Sequence, residues 1–209
     1  MTAVTVGDGS HLIRLLANGD LAVHDLDSGG IAPPRVLLAA ALDVPERCAQ
    51  CDPAKFAGRG TYTVCPLPGG RLAVIGRSSA SMKILDLHNS KVALTTVLDG
   101  GDISRGRTMY ANYQKNIRDA GGEPPNPSLI LAGATHRSGD MFLLAGPFAP
   151  AEGARVIRVN SNGAVTASMR CAYPAFDPQC GAPRFIGLNG DDLYLVTSRG
   201  LINIYKLYR

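Results

Sequence analysis

Five cysteines and four histidines are the side chains with the widest chemical range in this 209-residue chain. Cys48 and Cys51 form a C-x-x-C, a spacing at which two thiolates grip one metal ion or close a strained disulfide. A structural zinc site needs two further Cys or His ligands. No second C-x-x-C follows, so Cys65, Cys171 or Cys180 would have to arrive through the fold. Haem attachment is excluded by Asp52, which stands where that motif carries His. Thioredoxin-like chemistry wants the motif to open a helix, and Pro45 before it and Asp52-Pro53 after it argue against that. The pair therefore reads as a disulfide or free thiols ahead of a metal site. No cofactor is expected.

Cys171 and Cys180 flank Ala-Tyr-Pro-Ala-Phe-Asp-Pro-Gln, a segment with two prolines and few residues able to order it otherwise. A disulfide closing this loop is expected, with a stabilisation of roughly 2 to 3 kcal/mol on loop-entropy grounds. Such a bond belongs to an oxidising compartment, which places periplasmic or extracellular residence ahead of cytoplasmic. Against secretion with glycosylation, Asn126 is followed by Pro127 and no other Asn heads an acceptor sequence. Met1 to Asp8 shows no basic start with an apolar core, so no export signal is visible, although a processed start would look the same.

Between Asp99 and Pro127, the stretch Thr108 to Asp119 has no Gly or Pro and spaces Met109, Tyr113 and Ile117 four residues apart. That spacing predicts a short helix with one apolar stripe. Arg105, Arg107, Lys115 and Arg118, with Tyr110 on the flank, form a candidate binding patch for an anionic ligand or partner. Guanidinium forks bind phosphate or carboxylate well, and tyrosine rings can stack. The competing reading is a helix packed on the scaffold with a solvated face. The formal charge of +4 comes from scattered residues, so a nucleic-acid footprint is not expected.

The compact catalytic signatures are missing: there is no G-x-S-x-G, H-E-x-x-H, G-x-G-x-x-G or Walker-type loop. His11, His24, His88 and His136 are scattered, and each reads as a hydrogen-bonded strand or turn residue. Asp25-Leu-Asp27-Ser-Gly29 alternates acidic oxygens but lacks the later ligand of a calcium loop, and reads as a turn. No stretch reaches the roughly 20 apolar residues of a membrane-spanning helix.

The elements that must position these residues are strands. With 24 Gly and 14 Pro the chain is rich in tight turns. A phrase recurs as Leu21 to Gly29, Met82 to Ser90, Arg155 to Gly163 and Leu201 to Leu207. Each copy reads as a strand, the first three run into a polar turn, and each follows another short apolar strand. Taking turns as punctuation, one unit reads Ala3 to Val6, His11 to Leu16, Asp20 to Asp25 and Arg35 to Ala40. A second reads Thr61 to Cys65, Arg71 to Gly76, Met82 to Leu87 and Val92 to Leu98. A third reads Ser128 to Ala132, Asp140 to Ala145, Arg155 to Asn160 and Ala164 to Arg170. The fourth stops after Arg184 to Leu188, Asp192 to Thr197 and Leu201 to Leu207, one strand short.

Strand groups recurring every roughly 40 to 50 residues predict an all-β, β-propeller-like array of about four blades. One domain is expected over residues 1–209, with units at about 2–42, 60–98, 128–171 and 183–207. The insertions fall at 43–59, 99–127 and 172–182. The short last blade leaves an open strand edge, a liability that folded proteins cover. Thr2 to Val6 could add there; otherwise the array is completed by a second copy or by further sequence.

Leu21 to Gly29 and Met82 to Ser90 resemble the third-strand phrase of WD-repeat and related bacterial propellers, with Asp25 and Asp86 where those repeats often carry aspartate. The chain departs from a true WD repeat in having no Trp, no regular Gly-His pair and long unequal insertions. The resemblance implies a binding platform whose loops and channel face a protein or small ligand. The expected function is thus a non-enzymatic interaction scaffold, with a protein partner or a second copy of the chain. The alternative is an enzyme or electron-transfer subunit with a metal or redox site among the Cys-bearing insertions.

Overall fold

In a computed structural model, the described residues are 3–6, 11–15, 21–25, 33, 35–37, 62–89, 91–122, 129–146, 154–171 and 183–207. They form four antiparallel meander sheets and one helix. The first sheet comprises β1 (Ala3–Val6), β2 (His11–Leu15), β3 (Leu21–Asp25) and β4 (Arg35–Leu37), and the second β5 (Tyr62–Leu67), β6 (Arg71–Gly76), β7 (Ser81–Asp86) and β8 (Lys91–Val97). The third holds β9 (Ile130–Thr135), β10 (Met141–Ala145), β11 (Arg155–Val159) and β12 (Val165–Arg170). The last has three strands, β13 (Pro183–Asn189), β14 (Asp192–Thr197) and β15 (Ile202–Lys206). Two compact units divide the chain, residues 1–96 and 97–209.

The strand order follows from turn chemistry. Between β5 and β6, Pro68-Gly69-Gly70 turns with both glycines at positive φ (74° and 65°), which only residues without a Cβ adopt freely. The repeated phrase ends in side-chain-capped turns. Asp86 accepts the amides of His88 (2.9 Å) and Asn89 (3.2 Å), and Asn160 accepts those of Asn162 and Ala164. Each short polar side chain takes over hydrogen bonds that the ladder can no longer supply at its end. The aspartate of the phrase is therefore a turn cap at Asp86, and its carboxyl is held below the ordinary range chiefly by the Asn89 side chain.

Burial grades across each sheet. The second strands β6 and β10 are apolar on both faces and buried throughout their apolar run, as a continuous hydrophobic strand requires. The fourth strands β8 and β12 are largely exposed, and their sequences carry Lys, Thr, Ser and Arg. In the first unit, Ile13, Leu21 and Val23 pack with Leu72, Val74, Leu85 and Leu87 between two sheets. In the second, Phe142, Leu144, Ala154, Val156 and Cys171 pack with Leu193 and Leu195.

Two expectations are corrected. Ala3–Val6 pairs with His11–Arg14 in its own sheet, and among the described residues β15 pairs only with β14. A hairpin closes a short loop, whereas pairing with β15 would close nearly the whole chain at greater entropic cost. The helix is also longer than expected: α1 runs Gly101–Asp119, 19 residues. Its buried positions are Ile103 and Gly106, with Arg107, Tyr110, Gln114 and Ile117 partly buried along the same face. Those positions repeat at three and four residues, so the packing stripe is rotated away from Tyr113, which is 52% exposed. Gly106 resembles a helix breaker in sequence, but here it is buried within the packed face of the helix. The helix ends in a Schellman arrangement, with Gly121 at φ 77°, Gly121 N–H to Arg118 O and Gly122 N–H to Ile117 O.

Candidate functional site

Three surfaces carry the chemistry of the described chain, all of them in residues 97–209. On the helix, the residues of the expected anionic-ligand patch part company. Arg107 lies on the packed side and donates from a guanidinium nitrogen to the Leu98 carbonyl at 3.0 Å. Tyr110 is half-buried, and that burial pushes its hydroxyl pKa up. Arg105, Lys115 and Arg118 are exposed, and Arg105 pairs with Asp102 at 3.4 Å. Arg105 and Lys115 are ten residues apart, about 15 Å along the axis, too far to grip one small anion together.

The start of the helix is held to the third sheet by Asp102. Its carboxylate accepts from Arg155 at 3.2 Å on β11 and from the Ser168 hydroxyl on β12. Arg155 Nε is buried with no hydrogen-bond partner among the described residues, so Asp102 is a main counterweight to a poorly solvated guanidinium.

A second group ties the turns of two sheets. His136 Nε2 lies 3.1 Å from Asp191, and its Nδ1 lies 2.8 Å from the Ser138 hydroxyl and accepts the Ser138 amide. Ser138 Oγ in turn donates to Asp140 at 3.1 Å, and Arg158 grips Asp140 through two nitrogens. The connectivity resembles nucleophile, base and acid, but its donors are committed to the turn. The Ser138 hydroxyl serves Asp140, and the Gly139 amide bonds the His136 carbonyl. The arrangement is a polar clasp, and His136 is the hydrogen-bonded turn residue expected from the sequence.

The clasp has a pH signature. The Arg158 guanidinium holds the Asp140 carboxyl below its ordinary range. A carboxylate with a depressed folded pKa stabilises the fold above its unfolded value near 3.8 and loses that contribution as pH falls through the folded value. Asp140→Asn is expected to flatten the acid limb of urea stability relative to wild type. The difference at neutral pH is about 0.5 kcal/mol, small because the pair lies near solvent. Parallel urea titrations from neutral to strongly acid pH check this.

Cys171 is buried, and no disulfide bond joins it to another described residue. It packs as a small apolar group beside Phe142, Leu144 and Val156, and burial pushes its pKa up to about 11 despite Arg155 nearby. A thiol so rarely ionised is a poor nucleophile. Cys65 is also buried. Cys48, Cys51 and Cys180 lie outside the described residues. Among the described residues no three His, Cys, Asp or Glu side chains converge as metal ligands. Of the other histidines, His24 is partly buried in β3 and His88 is exposed in the turn after β7, while the His11 side chain lies outside the described residues.

The third surface is one the sequence reading missed. On the last sheet, Leu193 and Leu195 face the third sheet with Ile186, Leu188 and Tyr205 behind them. The opposite face carries Phe185, Tyr194, Val196, Ile202 and Ile204, for strand partners Phe185↔Val196↔Ile202 and Tyr194↔Ile204 run in register across it. Phe185 is 65% exposed, Ile202 61% and Ile204 59%. Asp192 pairs with Lys206 at its end. Strict alternation in Ile202-Asn203-Ile204-Tyr205 marks a two-faced strand, but which face stays open is decided by what stacks on the other.

No protein-family model and no curated protein matches this chain. Solved structures share its fold. Hydrazine synthase of Kuenenia stuttgartiensis aligns with 98% of this chain and 45% of its own at 11% identity, TM-score 0.53. The WD40 β-propeller domain of Doa1 aligns with 100% of this chain and 51% of its own at 10% identity, TM-score 0.51. The chain thus spans about half the length of these two structures. At such identities the likeness concerns architecture alone: an all-β, propeller-like array of three four-stranded sheets and one three-stranded sheet, with a single helix among the described residues.

Proposed function

We propose that this protein is a non-enzymatic interaction scaffold, and that its binding surface is the open apolar face of β13–β15. The supporting observation is the exposure of Phe185, Ile202 and Ile204 on a sheet whose other face is buried. Contiguous large apolar side chains in water mark a surface meant to be covered. The partner chemistry that fits is a protein β-sheet with an apolar face, since sheets stack face to face about 10 Å apart by interdigitating such side chains. A small anionic ligand has less to hold it, because Arg107 and Tyr110 are turned into packing. No helix among the described residues is long and apolar enough to cross a membrane.

The test uses the dye 1-anilinonaphthalene-8-sulfonate and sedimentation on the full chain. Two results meet the expectation: a several-fold dye enhancement that Ile202→Lys with Ile204→Lys removes, or an associated particle that the same substitutions split. A dispersed chain with no such dye signal overturns the reading.

A further inference from the structure

We propose that the occupant of this face is an acidic protein surface, one that brings carboxylates to Arg184 and Arg199 and seats a large apolar side chain over Gly187. The proposal rests on the docking reading above and names the chemistry of the partner.

The first support is charge. Pro183 lies opposite Thr197 and Phe185 opposite Val196, so Arg184 is the extra residue of a bulge. In a bulge two residues of one strand oppose a single residue of the next, which sets Arg184 beside Phe185 at the Val196 end of the open face. Both are exposed. Arg199 is exposed in the turn that leads from Val196 back to its partner Ile202. The apolar ladder therefore has a basic end. Residues 183–209 contain only Asp191 and Asp192 as acidic side chains, and these are engaged by His136 and Arg137 and by Lys206. Guanidinium groups left without a carboxylate of their own sheet fit a partner that supplies one, because the planar fork binds carboxylates bidentately and opposite charge selects the partner.

The second support is Gly187. It lies mid-strand in register with Tyr194 and, through it, Ile204. Unlike Gly190 and Gly200 it has no positive φ, and a Cβ built on it would meet no described atom within 4 Å. Neither the backbone nor the packing of the sheet calls for a glycine there. The missing side chain leaves a gap in the row beside Phe185 and Tyr194, as a strand glycine does where another group approaches closely. A protruding side chain of a protein fills such a gap, whereas a lipid surface has none to offer.

Fluorescence anisotropy on the full chain tests the proposal with two labelled peptides. One alternates glutamate with phenylalanine and isoleucine, and the other carries lysine in place of glutamate. The acidic peptide should bind at least roughly tenfold more tightly at low salt, and added salt should narrow the difference. Arg184→Glu with Arg199→Glu should reverse the preference. Gly187→Leu should weaken the acidic peptide by about tenfold or more, with unchanged circular dichroism because the added side chain enters open space, and Gly187→Ala should fall between. Equal binding of the two peptides, no binding of the acidic one, or indifference to the arginine reversal overturns the proposal. So does tighter binding to phosphatidylserine vesicles than to the acidic peptide, or a self-associated particle that Ile202→Lys with Ile204→Lys splits. If the acidic preference fails while the dye signal still depends on Ile202 and Ile204, only the acidic partner is overturned. A chain with neither peptide binding, dye signal nor association removes both readings.

Discussion

Leu144→Ala is expected to lower the stability of the fold by about 3 to 4 kcal/mol, read as a shift of the urea midpoint without loss of secondary structure at low denaturant. Leu144 is fully buried at the junction of the third and fourth sheets, beside Phe142, Val156, Leu193 and Leu195. Truncation removes the transfer free energy of the lost methyls and leaves a void. Two hydrogen-bonded sheets cannot collapse to fill it without breaking strand register. The same truncation at Ile204, 59% exposed, should cost well under about 1 kcal/mol in the dissociated chain. Equal losses at the two positions would mean that sheet stacking is not what holds this part of the chain.

Asp102→Ala carries the second large effect. It should loosen α1 from the third sheet and cost about 1 to 3 kcal/mol, because Arg155 then keeps a mostly buried charge without this carboxylate. Limited proteolysis gives the sharpest readout. Arg105, Lys115 and Arg118 lie on a helix docked at its start through Asp102, so tryptic cleavage within Gly101–Asp119 should accelerate in the variant. Asp102→Asn should fall between wild type and Asp102→Ala, since an amide can still accept from the Ser168 hydroxyl but cannot offset the guanidinium. Unchanged cleavage and stability would show that Ile103 and Gly106 dock the helix by themselves.

These two sites show where a reading of residues succeeds. Strand positions were legible to within a few residues, because Gly69-Gly70, Gly139 and Gly163 all sit at positive φ in turns that the apolar alternation had already bracketed. The short last sheet was legible for the same reason. The helix was half legible: Thr108 to Asp119 carries the helical signal, but the buried turn at Ile103 to Gly106 precedes it, and a glycine there reads as a boundary. The expected basic patch dispersed because sequence spacing identifies which residues share a helix face and not which face is pressed against the sheet. Cys171 flanks a proline-rich loop in sequence, and its side chain is also a small apolar group that the core uses.

The information legible in the residues alone is periodic and local: alternation for strands, positive-φ glycines and short polar side chains for turns, and the count of strands in each repeat. The remainder comes from packing between elements distant in the chain. Packing pairs Ala3–Val6 with its neighbouring strand, ties Arg107 to the Leu98 carbonyl, buries Cys171, joins Asp191 to His136, and leaves Phe185, Ile202 and Ile204 in water. The physical reason is that a period of two assigns side chains to one face or the other with equal clarity. Which face is then covered depends on stacking between sheets that lie far apart in the chain.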